Sequence, residues 1–219
     1  MIYRKTTTGM SVASYIAGRI AERLRTGQQV LWLLAGGSAI PVAVAAAAQL
    51  QDEQLGGLTI TLTDERYGPP GHAASNWQQL LDAGLALPAA KLHPVLSGAP
   101  LADTADAFNT FLTEMLQEAD YRIGLFGMGA DGHTSGLLPH CSALSSTAMA
   151  AHYQGPDYTR ITTTPAAIAQ LDTAVLYAMG EAKHEALSNL GNKLQLERQP
   201  AQVLKRVPEF VIFNDYKGE

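Results

Sequence analysis

Three short segments hold most of the side chains whose types and spacing could do chemistry. The first is Ala35-Gly36-Gly37-Ser38-Ala39-Ile40-Pro41, directly after an apolar run. Gly36 and Gly37 let backbone N–H groups approach an anion, Ser38 adds a hydroxyl, and a helix opening at Pro41 adds its positive end. A plain tight turn uses the same residues. The segment is neither G-x-G-x-x-G nor a Walker sequence, so no nucleotide is implied. The second segment, residues 63–76, starts with Asp64, Glu65 and Arg66 at the end of another apolar run. Three such charges must be solvated or paired. A solvated loop with one arginine–carboxylate pair meets that need as well as a binding site does. Ser75 and Asn76 read as a helix start. The third segment, residues 127–139, is rich in glycine and sets Asp131 two residues before His133. A carboxylate beside an imidazole fixes its tautomer and raises its basicity, which suits a general base. His72, His93, His140, His152 and His184 lack that setting and read as surface or packing residues. Arg160 and Lys183 each read alone as solvated charges. Together, placed after strands, they could supply the positive charge an anion needs.

The rest of the chain supplies elements to hold these segments. Residues 9–25 bring Met10, Val12, Ile16, Ile20 and Leu24 near helical spacing. Helices are also predicted over 41–50, 76–85, 101–119 and 181–190, and a short one opens at Pro165. Nearly continuous apolar runs at 29–35, 58–64, 121–127, 173–179 and 209–214 predict buried strands, with shorter ones at 92–95 and 160–164. Alternation of such strands with helices predicts an α/β fold, a mainly parallel sheet covered by helices on both faces. Ligands in such sheets sit beyond the strands' carboxyl ends, where the segments above fall.

Composition narrows the function. The chain has 219 residues, 47% of them hydrophobic and 16% charged, which suits a single α/β domain over 1–219. Its net charge of −5 and the lack of a basic stripe argue against nucleic acid as a partner. The longest apolar run, Val42 to Ala48, is too short to span a membrane. The opening MIYRKTTTGM holds no apolar core of a secretion signal, and Cys141 is the only cysteine. Both features favour a cytoplasmic location, and one cysteine excludes a zinc site built from cysteines.

Taken together, these segments resemble the 6-phosphogluconolactonase family, a branch of a Rossmann-like sugar-phosphate fold shared with glucosamine-6-phosphate deaminases. The matching residues are Gly36-Gly37-Ser38 with Pro41, Asp64-Glu65-Arg66 with Pro69 and Ser75-Asn76, and Gly127-Met128-Gly129 with Asp131-Gly132-His133-Thr134. Arg160-Ile161-Thr162 with Pro165 and Gly180-Glu181-Ala182-Lys183 follow in order. Deaminases typically carry tyrosine after Asp-Glu and an Ile-Ala-Phe-Asn-Glu-Pro-like run after Asp-Gly-His. Arg66 and Thr134-Ser135-Gly136-Leu137-Leu138-Pro139 favour the lactonase side. The chain departs from the lactonase pattern at Ala39-Ile40, at Gly136-Leu137-Leu138, at His140 and at its carboxyl end.

The resemblance implies hydrolysis of 6-phosphogluconolactone to 6-phosphogluconate in the pentose phosphate pathway. It implies His133 as the base, Asp131 as its orienting partner, and Arg66 or a backbone N–H at the oxyanion. Gly36, Gly37, Ser38, Arg160 and Lys183 would hold the phosphate, with Asp64 and Gly129 also in the binding site. No organic cofactor or metal is needed. The partner is a small-molecule sugar phosphate, and the protein is expected as a monomer or small homo-oligomer. Two alternatives stay open: an amino-sugar-phosphate deaminase or isomerase with Asp64 as its base, and a non-catalytic sugar-phosphate-binding paralogue.

Overall fold

Apolar runs too short for helices but continuous in sequence form strands buried on both faces. The computed structural model describes residues 1–51 and 53–218. Its strands are β1 (Ile2–Lys5), β2 (Val30–Leu34), β3 (Leu58–Leu62), β4 (Asp64–Arg66), β5 (Lys91–Leu92), β6 (Tyr121–Gly127), β7 (Ala150–Gln154), β8 (Thr159–Thr163), β9 (Thr173–Ala178) and β10 (Glu209–Asn214). Its helices are α1 (Met10–Arg25), α2 (Ile40–Ala48), α3 (Asn76–Asp82), α4 (Leu101–Glu118), α5 (Pro165–Ile168) and α6 (His184–Asn189).

Seven strands form one parallel sheet in the order β1-β10-β9-β6-β2-β3-β5. All five residues of β2 are buried, with Trp32 at 0% exposure. Helices cover the sheet through apolar stripes, as α1 does with Val12, Ile16, Ile20 and Leu24. Each such buried aliphatic side chain stabilises the fold by about 1.5–3 kcal/mol. No helix among the described residues is long and apolar enough to cross a membrane.

The strand order matters for function. From β2 the chain moves outward to β3, while β6 lies on the other side of β2. The order therefore reverses between β2 and β6, and the loops leaving their carboxyl ends diverge. Such a reversal opens a crevice suited to a ligand.

Two sequence expectations change. Residues 160–164 do not join the parallel sheet; they form β8 in a separate antiparallel sheet of order β4-β8-β7. Asp64, Glu65 and Arg66 do not form a solvated loop either. After Thr63 the chain leaves the main sheet and becomes β4, with Asp64 opposite Thr162, Glu65 opposite Ile161 and Arg66 opposite Arg160. Backbone pairing with β8 satisfies the strand while its acidic side chains are buried. Strands β1 and β7 give no clear signal in the sequence, because β1 is a largely exposed edge and β7 mixes alanine with His152 and Gln154.

Candidate active site

The loop after β2 turns tightly at Gly37–Ala39, and α2 follows with Pro41 in its first turn. Gly36 is required by close approach: a Cβ there would lie 2.1 Å from Asn76 Oδ1. The first residue of α3 thereby packs directly on this loop. Ser75 caps α3 by accepting from Gln78 N at 3.1 Å, as the sequence predicts. Across the crevice, Lys183 closes the short turn Glu181–Lys183 after β9, and its Nζ donates to Ser38 Oγ at 3.3 Å. Burial pushes the Lys183 ammonium below its ordinary pKa, and the charge of Asp215 opposes that.

The loop after β6 carries His133. Its Nδ1 lies 2.7 Å from Asp131 Oδ1, which also accepts from the His133 backbone N at 3.1 Å. With the Nδ1 proton donated to the carboxylate, Nε2 keeps its lone pair. The loop is pinned by Gly129 N donating to His133 O at 3.0 Å and Thr134 Oγ1 donating to Gly127 O at 2.7 Å. Gly129 leaves room for the pair: a Cβ there would sit 2.2 Å from His133 Nδ1 and 2.6 Å from Asp131 Oδ1.

Strand β4 separates the roles of its two acids. Glu65 is fully buried and accepts from Arg66 N, Asn76 N, Trp77 N and Ser75 Oγ at 2.7–3.1 Å. It anchors the start of α3 and has no free oxygen to offer a ligand; burial pushes its pKa up against those hydrogen bonds. Asp64 is 8% exposed and faces the crevice, accepting from Thr63 Oγ1 at 3.0 Å. Burial raises its pKa, while the Thr63 bond and the charges of Arg160, Arg66 and His133 oppose the rise.

The cations are arranged for an anion. Arg66 and Arg160 stand directly opposite each other in the β4–β8 ladder, where like charges destabilise. Their guanidinium carbons lie 5.3 and 5.8 Å from the centre of the Tyr158 ring. The expected arginine–carboxylate pair is not formed: Arg66 Nη1 donates to Ala74 O at 2.9 Å. Among the described residues Arg66, Arg160 and Lys183 make no ion pair, and the Nε atoms of both arginines are buried without a partner.

All of these meet in one cleft of about 380 Å³. Every site residue singled out from the sequence lines it except Asp131, which stands behind His133. Sequence reasoning missed Asn76, Asp157 and Tyr158 as cleft residues. In sequence Asn76 reads as a helix start and as part of the matched motif, with no role in the cleft, yet its Nδ2 donates to Asp64 O at 2.9 Å. Asp157 and Tyr158 sit at the tip of the β7–β8 hairpin, which the sequence does not reveal. A second groove of about 600 Å³ lies beside that hairpin, around His140, Cys141 and His152, and includes none of the singled-out residues. Among the described residues no three His, Cys, Asp or Glu side chains cluster as metal ligands.

Comparison with known proteins shows the family and the fold. Residues 4–212 match the family described as glucosamine-6-phosphate isomerases/6-phosphogluconolactonase. The chain is 28% identical over 214 residues to the 6-phosphogluconolactonase of Pseudomonas aeruginosa, covering 90% of this chain and 86% of that one. Its fold is similar to a 6-phosphogluconolactonase from Shewanella baltica, with TM-score 0.83 and 21% identity over 98% of this chain and 97% of that one. It is also similar to a monomeric glucosamine-6-phosphate deaminase, with TM-score 0.81 and 17% identity over 98% and 97% of the two chains. At those identities the two structures speak for the fold alone. The family match spans nearly the whole chain, so this protein belongs to the family of glucosamine-6-phosphate isomerases and 6-phosphogluconolactonases.

Proposed function

We propose that the protein hydrolyses 6-phosphogluconolactone to 6-phosphogluconate, the chain working as one α/β unit on a small sugar phosphate. The observation that carries this reading is the meeting of the His133–Asp131 pair with three cations that make no ion pair among the described residues, all in one cleft. A lactone is an activated ester, so a positioned water, a base and an oxyanion partner suffice.

In this reading a water gives a proton to His133 Nε2 as its oxygen bonds to the carbonyl carbon. Asp131 holds the imidazole and stabilises the imidazolium that forms. Arg66, at the cleft wall, stabilises the oxyanion. Collapse breaks the bond to the ring oxygen, and His133 returns the proton to that oxygen. The new carboxylic acid then loses its proton to solvent. Ser38, the backbone around Gly36 and Gly37, Arg160 and Lys183 hold the phosphate. That remote binding orients the carbonyl toward His133. The single cysteine, Cys141, fits work in a reducing compartment such as the cytoplasm.

One observation favours a second reading. Asp64 lines the cleft with its pKa pushed up by burial, as an acid–base group in an amino-sugar-phosphate deaminase would be. The test is a hydrolysis assay on freshly made lactone, corrected for spontaneous hydrolysis, with phosphorylated and unphosphorylated lactones side by side. Fast turnover of the phosphorylated lactone alone supports the proposal. Equal turnover of both removes the phosphate site, and ammonia release from glucosamine 6-phosphate without lactone hydrolysis reverses the ranking.

A further inference from the structure

Lys183 is carried by a single short turn. Gly180 precedes it with φ 99°, and Lys183 N donates to Gly180 O at 2.9 Å. What holds this turn comes from the far end of the chain. Beyond β10, the buried Asn214 folds the tail back, its Oδ1 accepting from Tyr216 N at 3.0 Å and Lys217 N at 2.7 Å. Asp215 is thereby pressed against the turn. Its Oδ2 accepts from Gly180 N at 2.9 Å, and its Oδ1 lies 3.1 Å from His184 Nε2. One carboxylate thus grips the residue before the turn and the residue after Lys183. The Tyr216 ring stacks on His184 with centroids 4.5 Å apart, and Ser188 Oγ lies 3.2 Å from the Tyr216 hydroxyl.

We propose that Asp215 is a positioning residue for phosphate recognition, a clasp that sets the Gly180–His184 turn so that Lys183 Nζ reaches the Ser38 loop. Asp215 does not line the cleft, so it acts through Lys183 and not on substrate. Its negative charge also opposes the loss of the Lys183 proton on burial. A clasp from the tail explains how the short turn that opens α6 can aim a flexible lysine. Pre-organising the lysine reduces the side-chain entropy lost when the anion binds.

The inference rests on the assignment of Lys183 to the phosphate, so the experiment separates the two. Steady-state kinetics are measured on phosphorylated and unphosphorylated lactones for Asp215→Ala, Asp215→Asn, Lys183→Ala and the double alanine variant. Asp215→Ala is expected to raise KM for the phosphorylated lactone about 5–10-fold, with kcat within about two-fold. The unphosphorylated lactone should not respond. Asp215→Asn, which keeps an acceptor for Gly180 N–H, should recover most of the loss. The double variant should be no worse than Lys183→Ala, because both act through one group. A parent-like KM in Asp215→Ala beside a raised KM in Lys183→Ala overturns the clasp, as does additivity in the double variant. A parent-like KM in Lys183→Ala overturns the phosphate assignment instead. If Asp215→Ala does not fold, Asp215→Ser, whose shorter hydroxyl cannot reach both Gly180 N–H and His184, enters the same cycle, and additivity there is equally decisive.

Discussion

Adding one methyl group at Gly129 tests the catalytic assignment without removing a catalytic atom. A Cβ at this position would lie 2.2 Å from His133 Nδ1 and 2.6 Å from Asp131 Oδ1. Ordinary carbon–nitrogen contacts need more than 3 Å, so the imidazole, the carboxylate or both must shift by about 1 Å. Gly129 N also donates to His133 O at 3.0 Å, which limits how far the loop can yield as a unit. The 2.7 Å contact between His133 and Asp131 cannot survive that shift unchanged. A misplacement of about 1 Å at a reacting group lowers rate about 10²-fold. Gly129→Ala should therefore lower kcat on the phosphorylated lactone by about 10²-fold. KM should change little, because Ser38, Arg160 and Lys183 sit on other elements. The assay is the corrected lactone hydrolysis, with thermal unfolding to show that the variant is folded. A folded Gly129→Ala enzyme with parent kcat would show that the His133–Asp131 geometry does not govern the rate. A rise in KM with unchanged kcat would move the pair from catalysis to binding.

Other outcomes follow from the same geometry. His133→Asn should lower kcat by about 10²–10⁴ while leaving fold and KM near the parent's; near-parent kcat in a folded variant removes His133 from the mechanism. Lys183→Ala or Arg160→Ala should weaken binding of the phosphorylated lactone by about 1.5–3 kcal/mol, read as KM or by calorimetry with the product. Burial holds the Lys183 pKa below its unfolded value, so its stabilising contribution exists only above the free lysine range and is lost as pH falls through the folded pKa. Lys183→Met should thus unfold about 1–3 °C higher at neutral pH while binding substrate worse; a lower Tm contradicts that sign. Asp64 has the opposite shift for an acid, so its contribution is present below the ordinary aspartate pKa and lost as pH rises through the raised one. Asp64→Asn should be at least as stable as the parent at neutral pH, with the gap closing in acid. It should keep substantial lactone hydrolysis, and the parent should release no ammonia from glucosamine 6-phosphate; the reverse pattern identifies a deaminase.

The sequence by itself determined the elements that local chemistry dictates. Strands β2, β3, β6, β9 and β10 are legible because a run of apolar side chains can only be buried on two faces. Helices α1 and α4 are legible because their apolar residues recur at helical spacing. The residues of the cleft were legible as types: a glycine pair with a serine, an acid beside a histidine, and late cations. Their assembly was not, because it depends on strand order, and order is a matter of contacts between residues far apart in sequence. Ser38 and Lys183 meet across 145 positions. The reversal between β2 and β6 that opens the cleft leaves no mark in either strand. The Asp64-Glu65-Arg66 run shows the limit most plainly, since composition alone gives three adjacent charges that a solvated loop or a binding site would accommodate equally. Pairing with β8 buries Glu65 among four donors, turns Asp64 to the cleft and sets Arg66 against Arg160. Alternation of side chains across a strand separates neighbours that composition treats alike, and only tertiary pairing decides which face meets the core and which meets the ligand.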